Sequence, residues 1–315
     1  MNNKSNRILI ILDFSYWLYY TLFGATSEFQ RKHAAEAKMW IKPPEETDQN
    51  NLPNLLMCDT FKKILKRFVM KRLETIDWQT KSNHQNEIDM ADGIDIIFAM
   101  DDNLTHSFRK DIYPEYKAQR VLAKKSYNIF AIKEYITNVI FKELDVETKY
   151  DCHLLKVNGA EGDDVIACIC KNLSKDYMLT ILYASDHDFI QLEGIHQYNL
   201  FGQKVECKVG NNTVTPDEYL KCKILLGDGA DNITKVFKGV GPTKALKLVK
   251  DENLLKEKLL QDQDAAKQYL LNEQLISFKY IPSELENKIV EEANKILYKD
   301  SVLNEDIDLK DFMNL

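Results

Sequence analysis

Little in this chain breaks regular structure. Only 11 glycines and 7 prolines occur in 315 residues, which excludes collagen-like and low-complexity architectures. No apolar run approaches the roughly 18 residues of a membrane-spanning helix, so no membrane association is expected. The opening stretch MNNKSNRILIILDF has too brief an apolar segment for a signal peptide and meets Asp13 at once. Six cysteines (Cys58, Cys152, Cys168, Cys170, Cys207, Cys222) are scattered without a CxxC pair. That pattern argues against a zinc site and for reduced thiols in a cytoplasmic protein. Six histidines (His33, His84, His106, His153, His187, His196) show no triad-like pairing, so no covalent enzyme intermediate is expected.

What is present is an alternation of elements. Residues 7–12 (RILIIL), 94–100 (IDIIFAM) and 178–184 (MLTILYA) are short apolar runs, each followed by aspartate. Runs of this kind predict buried parallel strands. Helical patterns cover 55–72, 127–143 and 162–174, which predicts an α/β fold with its site beyond the carboxyl ends of the strands. Two polar stretches, 24–54 and 77–93, are expected to be inserted loops or partly disordered segments. A boundary falls near 210. Thr215, Pro216 and Glu218 form a capping box, the helix stops at Gly227, and the pattern is helical to about 300.

Acids gather where elements begin or end: Asp13, Asp101, Glu161, Asp163, Asp164, Asp186, Asp188, Asp228 and Asp231. A single acid of this kind is commonly a cap or a solvated side chain, and Asp163 or Asp164 suits capping of helix 162–174. Four separate clusters at element ends resist that explanation. Their convergence calls for hard divalent cations, and Mg²⁺ bound by carboxylates keeps waters for substrate phosphates. Two such ions form a clamp for in-line phosphoryl displacement.

The order of motifs resembles the 5′ nuclease (flap endonuclease) family, particularly its T-even phage RNase H branch. The motifs are LDFSYW (12–17), AMDDN (99–103), RKDIYPEYKAQR (109–120), AEGDDVIA (160–167), YASDHDFIQL (183–192), LLGDGADNI (225–233) and GVGPTKA (239–245). LISFKYIPSELENKIV (275–290) also resembles the end of the phage enzymes, and the likeness covers most of residues 7–300 outside the two insertions. The resemblance implies a PIN-like parallel-sheet core with a helical arch at about 105–130, filling residues 1–210. An all-α helix–hairpin–helix DNA-binding region would fill 211–300, and a tail 301–315. It implies two Mg²⁺, with Mn²⁺ as substitute. Asp13, Asp101, Glu161, Asp163 and Asp186 would frame one ion and Asp188, Asp228 and Asp231 the other, with Asp164 a further family acid.

Nucleic-acid contacts are expected from Arg109, Lys110, Tyr116, Lys117, Arg120, Lys124 and Lys125. Lys117 and Arg120 are three apart and so on one face of a helix; the resemblance implies that they meet the scissile phosphate and that Tyr116 stacks on a base. At GVGPTKA, Gly239, Gly241 and Lys244, with Lys238 just before the motif, would grip duplex backbone at a helix start, with K⁺ bound there by family resemblance. The net charge of −7 does not exclude DNA, because setting aside the nine clustered acids leaves a positive balance. The basic helix 62–72 touches DNA or is simply solvated.

The function implied is a metal-dependent 5′→3′ exonuclease and structure-specific flap endonuclease with RNase H-type activity, removing primer RNA in phage DNA replication. Asp186, Lys117 and Arg120 are its expected catalytic residues. Substrates would be DNA flaps, nicked or forked duplexes and RNA–DNA hybrids, met by a monomer in the cytoplasm. Ile307, Leu309, Phe312, Met313 and Leu315 form an apolar set suited to a sliding clamp or single-strand-binding protein, or to a final packed helix. A PIN-type ribonuclease would not need GVGPTKA. A haloacid-dehalogenase phosphatase would need a second aspartate that LDFSY lacks. A non-catalytic DNA-binding factor would be expected to lose metal acids.

Overall fold

The computed structural model describes residues 4–102, 107–119, 125–143 and 151–298. Its centre is a five-stranded sheet: β1 (Arg7–Asp13), β2 (Gly93–Met100), β3 (Asp151–Lys156), β4 (Leu179–Tyr183) and β5 (His196–Tyr198). The order is β3-β2-β1-β4-β5 with all pairs parallel. The three runs expected as strands are its central members. Their interiors are buried because helices cover both faces, which is why they are mostly apolar, with Asp95 held by Lys4 and Arg7.

One face is covered by α1 (Phe14–Lys32), α2 (Ala34–Trp40), α3 (Asp59–Met90) and α5 (Ile129–Tyr135), the last continued by a π turn over Ile136–Ile140. α6 (Gly162–Leu173) covers the other face. Strand order reverses at β1, whose neighbours β2 and β4 carry the chain to opposite sides. The switch point therefore lies at the ends of β1, β2 and β4.

The two polar stretches are mostly helical, which corrects their reading as loops. Ala25, Phe29 and Ala37 bury from α1 and α2, while residues 77–90 complete the 32-residue α3. Hydropathy misses the latter because its buried residues are polar and hydrogen-bonded. Thr80 Oγ1 lies 2.9 Å from the Tyr183 hydroxyl, His84 Nε2 lies 3.0 Å from that of Tyr198, and Gln79 donates to the Leu200 carbonyl. α3 kinks at His84, where the backbone leaves helical geometry. The edge strands β3 and β5 had no distinct signal, being short or alternating.

Of the expected arch, the described residues contain one short helix, α4 (Phe108–Ile112), and turns over 114–119. Residues 103–106 and 120–124, including Arg120 and Lys124, lie outside the described residues, as does the tail from 299.

Beyond the sheet come a hairpin, β6 (Lys208–Val209) with β7 (Asn212–Thr213), then α7 (Pro216–Leu226), α8 (Pro242–Lys250), α9 (Glu252–Gln261), α10 (Gln263–Ile276) and α11 (Ser283–Leu297). The expected capping box opens α7. Val209, Cys222, Leu225, Ala245, Leu248 and Ala265 share one core. α11 instead returns to the sheet, where Ile289, Ala293 and Leu297 pack with α6. Packing therefore crosses the boundary near 210. Asn272 ties α10 to α7 and to the loop after it, donating to the Ile224 and Thr234 carbonyls, both at 2.8 Å.

Gly227 ends α7 at φ 66°, and a Cβ there would lie 2.4 Å from the Ile233 carbonyl oxygen. Gly227→Ala is expected to lower stability by at least the ~1–3 kcal/mol of a strained backbone. Urea unfolding should show an earlier midpoint; an unchanged midpoint would mean the loop is not held as described.

Candidate active site

Asp13 closes β1 and caps α1, accepting the Tyr16 N–H at 3.0 Å. Asp101 follows β2; it accepts the Gly162 N–H at 2.8 Å and the Ser15 hydroxyl at 2.7 Å. Gly162 permits that approach, since a Cβ would sit 3.2 Å from Asp101 Oδ1. Asp163 is next in the first turn of α6, where exposed backbone N–H groups favour negative charge. Asp186 follows β4 and caps the one-turn helix His187–Gln191, accepting the Asp188 N–H at 2.8 Å. A cavity of about 450 Å³ opens here, lined by Asp13, Tyr16, Ser185, Asp186, His187, Tyr219 and Lys223.

Two of the four carboxyls, Asp13 and Asp163, register the charge of their neighbours. Burial, together with Asp101 and Asp186, pushes the Asp13 carboxyl up to about 6. Burial, then Asp13 and Asp186, raises Asp163 well above the usual carboxylate range. Like charges in a partly dry cleft produce this pattern when no cation offsets them.

Cationic side chains flank the group. Burial pushes Glu161 up, but Lys117 at 2.8 Å and Arg109 hold it below its usual range. The Tyr116 hydroxyl bridges the Glu161 and Asp231 carboxylates at 3.2 and 3.3 Å. On the other side Lys223 pairs with both Asp188 and Asp228, the latter at 3.3 Å. Burial raises Asp228, and Lys223 more than offsets it. Among the described residues no three Asp, Glu, His or Cys side chains close around a common point in this conformation. The donor set nevertheless fits hard divalent ions: carboxylates from four segments, two of them raised by burial and by their neighbours, with Lys117 and Lys223 on the flanks.

Several expected roles need correction. Asp164 is fully buried, 2.9 Å from Arg109 Nη2, and its carboxylate accepts the Glu161 N–H in a capping box. It holds the helix start and does not face the cleft acids. Arg109 is equally buried, donating also to the Leu275 carbonyl, so it is not free to meet DNA. Tyr116 is only 3% exposed, which leaves no ring face for a base. Lys117 stands in a turn at φ 57°, not on a helix, and donates its N–H to the Asp231 carbonyl. Its geometry therefore does not pair it with Arg120 by helical spacing.

Lys110 is half-buried, and Lys125 donates its N–H to Gln49 while its amine lies 5.7 Å from the Tyr19 ring. In the loop before α8, Gly239 has φ 75° and Gly241 caps the helix. Lys238 and Lys244 are exposed beside them, and Lys244 reaches the Gly239 carbonyl at 3.5 Å. Sequence reasoning missed Ser15 and Lys223. Their only signals were a hydroxyl two residues past Asp13 and a lysine in the last turn before GDGADN.

Residues 82–219 match the model of the 5′-3′ exonuclease N-terminal, resolvase-like domain. Over these residues the chain is similar to 5′-3′ exonucleases. Among curated relatives, a thermostable DNA polymerase I of Thermus caldophilus is 30% identical over 175 residues, 52% of this chain and 20% of that protein. A 5′-3′ exonuclease of Mycoplasma pneumoniae is 26% identical over 161 residues, 47% of this chain and 51% of that one. The chain thus aligns with a fifth of the first and about half of the second. In fold the chain is similar to the T5 D15 protein crystallised with metal ions, with a TM-score of 0.56, 16% identity, and coverage of 93% of this chain and 99% of that one. It is likewise similar to a variant of the T5 flap endonuclease in a pseudo-enzyme-product complex with DNA and metal ions (TM-score 0.57, 16% identity, 93% and 98% covered). The core is therefore PIN-like, followed by helices.

Two outcomes follow. Asp13 and Asp163 bind protons more tightly in the folded, metal-free protein than in the unfolded chain, so they destabilise it above about pH 6. Mn²⁺ at one hundred times its dissociation constant should therefore add ~2.7 kcal/mol at pH 7.5. That gain should shrink as pH falls through 6, as thermal melts with and without metal would reveal; an increment independent of pH would contradict the assignment. Separately, Arg109→Met should cost ~3–5 kcal/mol by leaving Asp164 buried and unpaired, and Asp164→Leu in the same chain should restore part of it. A double-mutant cycle with no coupling would remove the structural role given to Asp164.

Proposed function

We propose that this chain is a divalent-metal-dependent 5′→3′ exonuclease and structure-specific flap endonuclease that hydrolyses phosphodiesters near single-strand/duplex junctions. The observation that carries this reading is the convergence of Asp13, Asp101, Asp163 and Asp186 at the switch point, close enough that the others help raise the Asp13 and Asp163 carboxyls. RNA–DNA hybrids as substrates, and primer removal in phage replication, belong to the same proposal and rest on the motif resemblance.

Asp13, Asp101, Asp163 and Asp186 would hold one Mg²⁺, with Glu161 beside it, and Asp188, Asp228 and Asp231 the second. When bound, such a pair neutralises phosphate charge and lowers the pKa of water. The chain's own residues do the rest. Lys117 keeps a positive charge at the mouth of the cluster, 2.8 Å from Glu161, where an arriving phosphate competes for it. Lys223 balances Asp188 and Asp228 until cations replace it. Ser15 and the Gly162 N–H fix the Asp101 carboxylate so that it does not swing away from Asp13. Arg120 joins Lys117 in the proposal on sequence grounds.

Residues 211–276 would grip duplex backbone through Lys238, Gly239, Gly241 and Lys244, with K⁺ at the loop, in a helix–hairpin–helix module. Lys110, Lys124 and Lys125 would add phosphate contacts. A tail segment, 305–315, would dock on a sliding clamp or single-strand-binding protein.

The test uses a 5′-labelled flap and a nicked RNA–DNA duplex, incubated with Mg²⁺ or chelator. Wild type should cut near the junction with metal only, Asp186→Asn should be inactive, and Lys117→Ala should lose ~10²–10³ in rate. Binding without cleavage in any divalent metal would overturn the reading.

A further inference from the structure

Tyr116, the aromatic expected to stack on a base, is buried, yet the cleft has another aromatic beside it. Phe201 is 61% exposed at the tip of a turn after β5. The turn is not loose. Asn199 Oδ1 accepts the Phe201 and Gln203 N–H groups at 2.9 and 3.0 Å, and Gly202 turns the chain at φ 76° against the Gln79 side chain. Gln79 also donates to the Leu200 carbonyl, and the Leu200 N–H donates to the Tyr16 hydroxyl at 3.4 Å. The turn therefore fixes where the ring stands at the surface, and what surrounds it decides what it can meet.

Its neighbours indicate the occupant. Phe201 meets Tyr20 edge to face, with ring centroids 5.1 Å apart. The Arg72 guanidinium lies over the Tyr20 ring at 3.9 Å, and its Nε is buried without a hydrogen-bond partner. No carboxylate pairs with Arg72 among the described residues. An unpaired guanidinium beside exposed aromatic surface suits a base with its phosphate far better than an apolar protein segment.

The surface is also continuous with the acids. Tyr16 lines the acid cavity and anchors the Phe201 turn. Tyr20 follows one helical turn later, ~10 Å along α1 from Asp13, or about three stacked nucleotide steps. A polar groove of about 700 Å³, lined by Asn199, Gln203, Lys204 and Lys208, shares Ser185 and His187 with the acid cavity.

We propose that Phe201, with Tyr20 and Arg72, forms a stacking platform for an unpaired nucleobase of the bound nucleic acid, about three nucleotides from the acid cluster. The identity of the ligand rests on the nuclease reading, but the test is separable from it. Fluorescence anisotropy in chelator, with a 5′-overhang duplex and a single strand, would compare wild type with Phe201→Ala, Arg72→Gln and Phe201→Trp. Phe201→Ala should weaken binding about tenfold, the scale of one lost base–aromatic stack. Arg72→Gln should weaken it and reduce the salt slope by about one. Phe201→Trp should retain affinity, with its emission changing on binding. Unaltered affinity in Phe201→Ala, with its melting temperature intact, would overturn the platform. Phe201-dependent binding by a protein that cleaves nothing would sustain the platform and reject the nuclease. Metal-dependent cleavage with binding indifferent to Phe201 would do the reverse.

Discussion

Repulsion among carboxylates at one edge of a parallel sheet organises this molecule. The register that sets Asp13 opposite Ala99 and Leu12 opposite Tyr183 brings the ends of β1, β2 and β4 level, so the acids following them meet. The three central strands are mostly apolar because they are covered on both faces; Asp95 in β2 is buried only because Lys4, Arg7 and Tyr177 satisfy it, and the cleft acids stand where the cover stops. The price appears in Asp13 and Asp163, whose carboxyls are driven toward protonation. A chain under selection for stability alone would not keep such a group; sites that break local rules are where function resides.

The rest of the fold answers that repulsion. Arg109, reached from α4 and buried, neutralises Asp164 and partly Glu161 from behind. Lys117 and Lys223 balance the flanks, one in a turn before the cleft and one in the last turn of α7. The EGDD segment consequently divides its labour. Asp163 faces the other acids, Glu161 is shared between cleft and cations, and Asp164 belongs to the core. One helix start thus supplies both charge and the means of anchoring it.

The α/β alternation was legible because buried parallel strands are unmistakable as β-branched runs, and RILIIL, IDIIFAM and MLTILYA are such runs. α7 was legible from its caps. The second half of α3 was not, since Gln79, Thr80 and His84 bury as polar groups satisfied by Tyr183, Tyr198 and Leu200, and hydropathy takes them for surface. The acids were legible as a set, because element ends can be placed from sequence. Their individual directions were not. Whether an acid on a helix start faces a cleft or the core depends on where Arg109 sits, far before Asp164 in the chain. The same holds for Tyr116, which reads as an exposed aromatic in a basic stretch until the Glu161 and Asp231 carboxylates close on its hydroxyl.

The measurement that bears most directly on this account is anomalous diffraction from crystals grown with Mn²⁺. The account predicts a strong peak bounded by Asp13, Asp101, Asp163 and Asp186, with Asp164 still on Arg109 and Lys223 displaced from Asp188 and Asp228 where a second ion binds. No peak in that cleft at saturating Mn²⁺, or a peak held by Asp164, would contradict it.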